Sequence, residues 1–307
     1  MDKTINAPLP RKVVTPKKKI NWVPYALIAP AVLMIMGFLL YPMLTVFYYS
    51  FQHFDIAAPF YDGFAGLDNY IQIFTNDALF LPSLWNSVKW VLAQVSLQLV
   101  FGMIFALLLN QTFKLRGLVR TIAFVPWALS GVLTSVIWML LYNEHMGVFN
   151  DLLMKVGILD GPRAFLASTG SAFIAVVLAE LWRGIPFFAV TLLAGLQNIP
   201  TELYEAAQID GASRMEQFRY ITLPQLKRTI VLTTLLRTVW EFNNVDLLYN
   251  LTGGGPANST LTYSMYMTNT AVNGTNFGYG SALAVIAFVL LSIVAIVYLR
   301  FSKFEEE

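Results

Sequence analysis

Long apolar runs dominate the chain, and their lengths suit a bilayer. They cover Trp22 to about Phe51, Leu84 to Leu109, Val119 to Tyr142, Ser171 to Leu196, Thr229 to Leu251 and Gly280 to Leu299. A helix rises about 1.5 Å per residue, so a hydrocarbon core about 30 Å thick needs about 20 apolar residues. The pattern predicts six transmembrane helices. Barrel strands would be far shorter, and helices and closed barrels are the only spanning options. The expected fold class is therefore an all-α integral membrane protein. Residues 23–300 form one membrane domain, between a basic, Pro-containing tail over 1–22 and a short tail over 301–307. The first run is too long for a signal-peptide h-region and has no small-residue cleavage site.

One polar island interrupts this pattern, over residues 199–228. Pro200 suits a helix start, where its missing N–H costs nothing, and Glu202 and Glu205 favour the positive helix end. Asp210-Gly211 reads as a stop, because Gly takes the left-handed conformation without steric penalty. Ser213 with Glu216 three residues on predicts a capping box and a second short helix, ended by Pro224. The island is thus expected to be a compact helix–turn–helix outside the bilayer. Ala206 and Ala207 keep one face of its first helix thin enough for close approach by a partner.

Charge sets the orientation. Fifteen of the 20 Lys and Arg fall in the N-terminal tail, the 114–120 turn, the 199–228 loop and the C-terminal end at Arg300 and Lys303, whereas only Lys155 and Arg163 lie on the opposite side. By the excess of cations on the inner side, both termini and the Glu205 loop are expected to be cytoplasmic. Composition agrees with the membrane reading: 57% of residues are hydrophobic and 12% charged, against about 25% charged in a soluble domain. Cys is absent, which excludes disulfides, thiolate chemistry and Cys-ligated zinc. His53 and His145 form no metal-ligand spacing, and no metal site is expected. The chain has no phosphate-binding Gly-x-x-x-x-Gly-Lys-[Ser/Thr] motif, so it is expected to be no ATPase itself.

Glu205-Ala206-Ala207, then Gly211, then nine residues to Ile221-x-Leu223-Pro224 resembles the loop signature of binding-protein-dependent ABC importer permeases. Leu251-Thr252-Gly253-Gly254-Gly255-Pro256, Tyr279-Gly280-Ser281-Ala282, Asn86-Ser87 and the Arg120–Pro126 segment extend the resemblance over most of the chain from about residue 24. The sugar type, and within it the larger membrane subunit of maltose-type importers without its extra N-terminal helices and outer domain, is the nearest pattern. The resemblance implies that Glu205, Ala206, Ala207, Asp210, Gly211, Leu223 and Pro224 form the coupling element for the ATPase. It also implies a second permease subunit, two ATPase subunits and an extracytoplasmic solute-binding protein as partners. ATP and Mg would sit on the ATPases, and this chain would carry no cofactor of its own in the inner membrane of the cell.

Charges inside the spans are the remaining signal. An ionised group at mid-helix costs about 2.5–3.5 kcal/mol on insertion scales. Arg183 lies three residues after Glu180, and Arg237 four before Glu241, so each pair shares a helix face. Arg237, Trp240, Glu241 and Asn244 make one stripe, which supplies an aromatic platform and polar groups of the kind that hold sugar hydroxyls. Aligned on the loop motif, Trp127, Gly131, Arg183, Gly184, Phe187, Arg237, Trp240, Glu241 and Asn244 match positions that contact sugar in maltose-type permeases. The charges at 183, 237 and 241 depart from that pattern, which puts maltose itself in doubt. Two functions remain open at this point: an ABC permease subunit for a sugar or oligosaccharide, or a proton-coupled secondary transporter working through Glu180, Glu241 or Asp246.

Overall fold

A computed structural model describes residues 22–302. The basic positions from Lys3 to Lys19, and Lys303 with the three terminal glutamates, lie outside the described residues. The chain divides into two compact units, one up to Thr45 and one from Val46 onward. The first is the leading part of span one, Val23–Tyr49. Every residue from Trp22 to Leu44 is exposed. An apolar helix with no polar face is the form that lipid or another membrane helix can cover.

Among the described residues, four helices are long and apolar enough to cross a bilayer: span one, span two (Phe80–Asn110), span four (Thr169–Gln197) and span six (Phe277–Phe301). The expected third span is a bent pair, Arg116–Ala128 and Gly131–Leu141, meeting at 96°. Pro126 lies in the last turn of the first half, where it removes a backbone donor. Ser130 then caps the second half, its Oγ accepting from the Leu133 N–H at 3.3 Å.

Span five also differs from the expected continuous run. Its helix covers Leu223–Phe242, breaks at 243–245, and resumes as a short helix at Asp246–Thr252. Its charges keep it out of the apolar set. Pro224 does not end the second loop helix as the sequence suggests. The short helix Arg214–Gln217 widens into a π turn at Phe218–Thr222 and runs on into span five, with Pro224 just past the π turn, where the altered spacing accommodates its missing N–H.

Span two packs along most of span four, and Gly102 sets how closely. A Cβ at 102 would stand 2.4 Å from Cβ of Phe188. Small residues at such crossings let membrane helices approach without a hydrophobic driving force. The 252–279 segment is more than a loop. Its helix Tyr263–Thr268 folds inward, with Tyr263 and Met265 fully buried. Asn86 Nδ2 donates to the Leu261 carbonyl at 3.0 Å, and Ser264 Oγ donates to the Phe242 carbonyl at 2.6 Å. These bonds satisfy backbone groups near the end of span five, where no water would reach them.

At the opposite end from the 199–228 loop, a two-residue hairpin pairs Gln52–His53 with Gly63–Phe64. Nearby, the Asp77 carboxylate accepts from the hydroxyls of Tyr266 at 2.6 Å and Tyr279 at 2.7 Å, and from the backbone N–H groups of Leu79 and Phe80. Partial burial alone would raise its pKa, but these four donors together hold it below the usual carboxylate range. Asp77 thereby ties the start of span two to the helices on either side of the 270–276 turn.

Candidate functional site

Arg183 is the middle residue of span four and Arg237 lies in the outer half of span five. The expected pairs exist, and they are joined into one network. Arg183 grips Glu180 with two parallel bonds, Nε to Oε2 at 2.8 Å and Nη2 to Oε1 at 3.0 Å. Arg237 Nη2 reaches across to Glu180 Oε1 at 2.9 Å and to Glu241 Oε1 at 2.6 Å. Span two supplies the rest, which the sequence reading did not name. Gln98 accepts from Arg237 Nε at 2.7 Å and donates to Glu241 Oε1 at 3.0 Å. Trp90 Nε1 donates to Glu241 Oε2 at 3.1 Å, and Asn244 Nδ2 donates to the same oxygen at 3.2 Å. Gln94 links Gln98 to the Val177 carbonyl of span four.

Glu180, Glu241, Arg237, Gln94, Gln98 and Trp90 are all buried. Carboxylates at this depth persist only with partners, since a buried unpaired ion costs several kcal/mol. Both Glu241 oxygens already accept two bonds each, so Glu241 has no acceptor left to offer a hydroxyl. The charged side chain that does reach the adjoining space is Arg183, at 22% exposure.

That space is a cavity of about 240 Å³ lined by Trp127, Arg183, Arg237, Trp240, Glu241 and Asn244. Phe187 packs on Trp240 at 5.1 Å between ring centroids and on Trp127 at 6.3 Å, making one aromatic wall. The Arg237 guanidinium lies 5.7 Å from the Phe187 ring centre, over its face. Trp127 and Trp240 remain about half exposed, so their faces are open. Asn244 stands in the break after the span-five helix, and still shares the stripe through its bond to Glu241.

The two glycines sit behind this surface. A Cβ at Gly184 would stand 2.3 Å from the Gln98 amide and 2.6 Å from Arg237 Nη2, so only Gly leaves room for the network. A Cβ at Gly131 would stand 2.9 Å from Cβ of Asp246, where the bent third span meets the short helix after the break. Trp90, Gln94 and Gln98 could have been found from sequence. Four-residue spacing places these three polar or hydrogen-bonding side chains on one face of an apolar span.

The 199–228 loop has the predicted first helix, stop and capping box, though not the predicted end at Pro224. Its first helix is Thr201–Ile209, with Pro200 at the N-cap, and Gly211 follows with φ +81°. The capping box is present: Ser213 Oγ accepts from the Glu216 N–H at 3.3 Å, and Glu216 Oε2 accepts from the Ser213 N–H at 2.7 Å. The Ser213 bonds hold the Glu216 carboxyl below its ordinary range. Glu205, Ala206 and Asp210 are exposed and Ala207 is half-buried on the same helix. Ile209, Met215 and Tyr220 are largely exposed beside them. Leu223 and Pro224 lie at the start of span five, next to this face.

Residues 98–303 match the family described as binding-protein-dependent transport system inner membrane component. This chain belongs to that family. Such a permease subunit carries no ATPase of its own, and family membership sets aside the proton-coupled secondary transporter. The chain is similar to the trehalose/maltose transport system permease protein MalF of Thermococcus litoralis, at 38% identity over 92% of this chain and 94% of that protein. It is equally similar, at 38% identity, to the sulfoquinovosyl glycerol transport system permease protein SmoG of Agrobacterium fabrum, over 89% of this chain and 88% of that one. The fold matches that of a bacterial ABC transporter chain involved in alginate import, with a TM-score of 0.79, 21% identity, and 93% and 96% of the two chains covered. A second structure, of an alginate ABC transporter in complex with a pentasaccharide-bound periplasmic protein, gives a TM-score of 0.76 at 22% identity.

Proposed function

We propose that this permease forms, with a second permease subunit, the alternating-access pathway of an ABC importer for a sugar or oligosaccharide. An extracytoplasmic binding protein delivers the solute, and two ATPase subunits drive the cycle. The observation that carries this reading is the cavity with its aromatic wall of Trp127, Phe187 and Trp240 and the free edge of Arg183. An aromatic face suits the C–H side of a pyranose, and a guanidinium donates to its oxygens. At about 240 Å³ the cavity is smaller than a typical small-molecule site of roughly 300–1,000 Å³. That size fits one wall of a site completed by a second subunit. Two relatives at 38% identity carry sugar or sugar-derived names, which supports the solute class.

Within this reading Trp127, Arg183, Trp240 and Asn244 face the solute, and the buried Phe187 backs the two tryptophans. Arg237 and Glu241 hold the surface in place from behind, and Gly131 and Gly184 make room for it. Glu205, Ala206, Ala207, Asp210, Gly211, Leu223 and Pro224 form the face that meets the ATPase. Both chain ends and this loop are cytoplasmic, as the Lys and Arg distribution supports. The permease domain is residues 23–300, between the two tails. No cofactor binds this chain; ATP and Mg belong to the ATPase subunits.

The test is uptake by proteoliposomes holding the chain with its co-purified partner subunits and receptor. Trehalose, maltose, sulfoquinovosyl glycerol and alginate oligosaccharides serve as probes, with and without ATP and a protonophore. Uptake of one of them that requires ATP and receptor and survives the protonophore is expected. Uptake that ignores ATP and collapses with the protonophore would overturn the proposal.

A further inference from the structure

The loop helix Thr201–Ile209 is joined to span five by the chain through Gly211 and a turn, a poor transmitter of force because it contains no continuous helix. Side chains make a more direct link. The Tyr204 hydroxyl lies 2.9 Å from Thr222 Oγ1. Either hydroxyl can donate to the other, and Thr222 Oγ1 also lies 3.4 Å from the Gln217 carbonyl. Thr222 is buried at 4% exposure and closes the π turn that leads into span five. Gln217 Nε2 in turn donates to the Ala212 carbonyl at 3.0 Å, bracing the turn from below. Around the hydroxyl pair, Tyr204, Phe218 and Ile221 pack into the apolar cluster formed by Met103, Leu196, Ile199 and Leu226. The loop helix is therefore seated on the inner ends of spans two, four and five at once.

We propose that Tyr204 is the positioning residue that passes movement of the loop helix to span five, with Thr222 as its partner. The inference rests on the coupling role proposed above for the Glu205 face. Tyr204 is half-buried and on the inner side of the helix, while Glu205 and Ala206 face out. A push on the outer face thus bears on Thr222. From there one helix runs to Arg237, about 22 Å along at about 1.5 Å per residue. A π turn at the base gives that helix a local hinge, as such turns commonly do at functional sites. The network around Arg237, and with it the cavity surface at Trp240, moves with the helix.

Because the chain has no cysteine, a single reporter thiol is available. Asn243→Cys places it at the exposed outer end of the span-five helix. The full complex with its partner subunits is labelled with a maleimide, with and without Mg-ATP plus vanadate. The parent is expected to change its labelling rate with nucleotide. Tyr204→Phe and Thr222→Val should each reduce that change about fivefold, the effect of one net hydrogen bond on an equilibrium. Thr222→Ser should keep it, and the Tyr204→Phe/Thr222→Val double variant should be no worse than either single one. A packing role alone would lower the amount of assembled complex without altering the nucleotide response per complex. A full nucleotide response in Tyr204→Phe overturns the role of Tyr204. Should assembly fall, Thr222→Ser against Thr222→Val at equal complex concentration decides in the same way. A parent that labels at one rate in both states overturns the coupling reading itself.

Discussion

The Arg237 network and the 199–228 loop are both polar islands in an apolar chain, and they are held together by opposite means. In the network, three helices contribute partners to one another, and Glu180 and Glu241 are 0% and 1% exposed. Side chains far apart in sequence, such as Gln98 and Arg237, depend on each other. In the loop, order is local: a cap at Ser213, a left-handed Gly211 and contacts at the inner ends of the spans. Its outer face leaves Glu205, Ile209, Asp210 and Met215 exposed. The network spends its polar groups on itself, whereas the loop leaves Glu205 and Asp210 exposed. Damage should accordingly spread in the first and stay local in the second.

Glu180→Gln is expected to have the largest effect. It takes the charged partner from Arg183 and one of two from the buried Arg237, and removing one partner of a buried pair costs about 3–5 kcal/mol. The amount of folded protein extracted from membranes should fall steeply. Removing a matched pair should spare folding. An Arg237→Met/Glu241→Met double variant keeps Arg183 with Glu180 and should recover most of the extracted protein, yet transport poorly because the cavity surface has lost its support. A double variant as unstable as Glu180→Gln would show that the network acts only as glue.

The loop should respond differently. Glu205→Lys is expected to leave folding and insertion intact while abolishing solute-stimulated ATP hydrolysis by the assembled complex. Gly211→Ala should be milder, because nothing crowds that position and the cost is the strain of the left-handed conformation, roughly 1–2 kcal/mol. Normal stimulation in assembled Glu205→Lys complexes would remove the contrast between the two regions.

Much of this arrangement was legible in the sequence where the signal is local. Run length marked the spans, and Ser213, Glu216 and Gly211 marked the loop's caps. Helical spacing paired Glu180 with Arg183 and Arg237 with Glu241. Features set by distant partners were not legible. The break after Phe242 follows an apolar run with no proline, and it is braced from outside by Ser264 and Trp90. Pro224 reads as a stop, yet the helix passes through it, because the π turn before it alters the backbone spacing. Glu241 reads as a free acceptor, since a sequence cannot show that Trp90, Gln98 and Asn244 have already filled it.

Trp240→Ala is the most direct test of the cavity as the solute path. Trp240 is 43% exposed, makes no hydrogen bond to the network through its side chain among the described contacts, and forms the open face of the aromatic wall. Transport and thermal stability of the assembled complex are to be measured on the same preparation. The expected result is loss of transport by about tenfold, in line with about 1.5 kcal/mol for a stacked aromatic contact, with assembly and melting temperature close to the parent. Unchanged transport in a well-assembled Trp240→Ala complex would contradict it and leave the wall a packing feature.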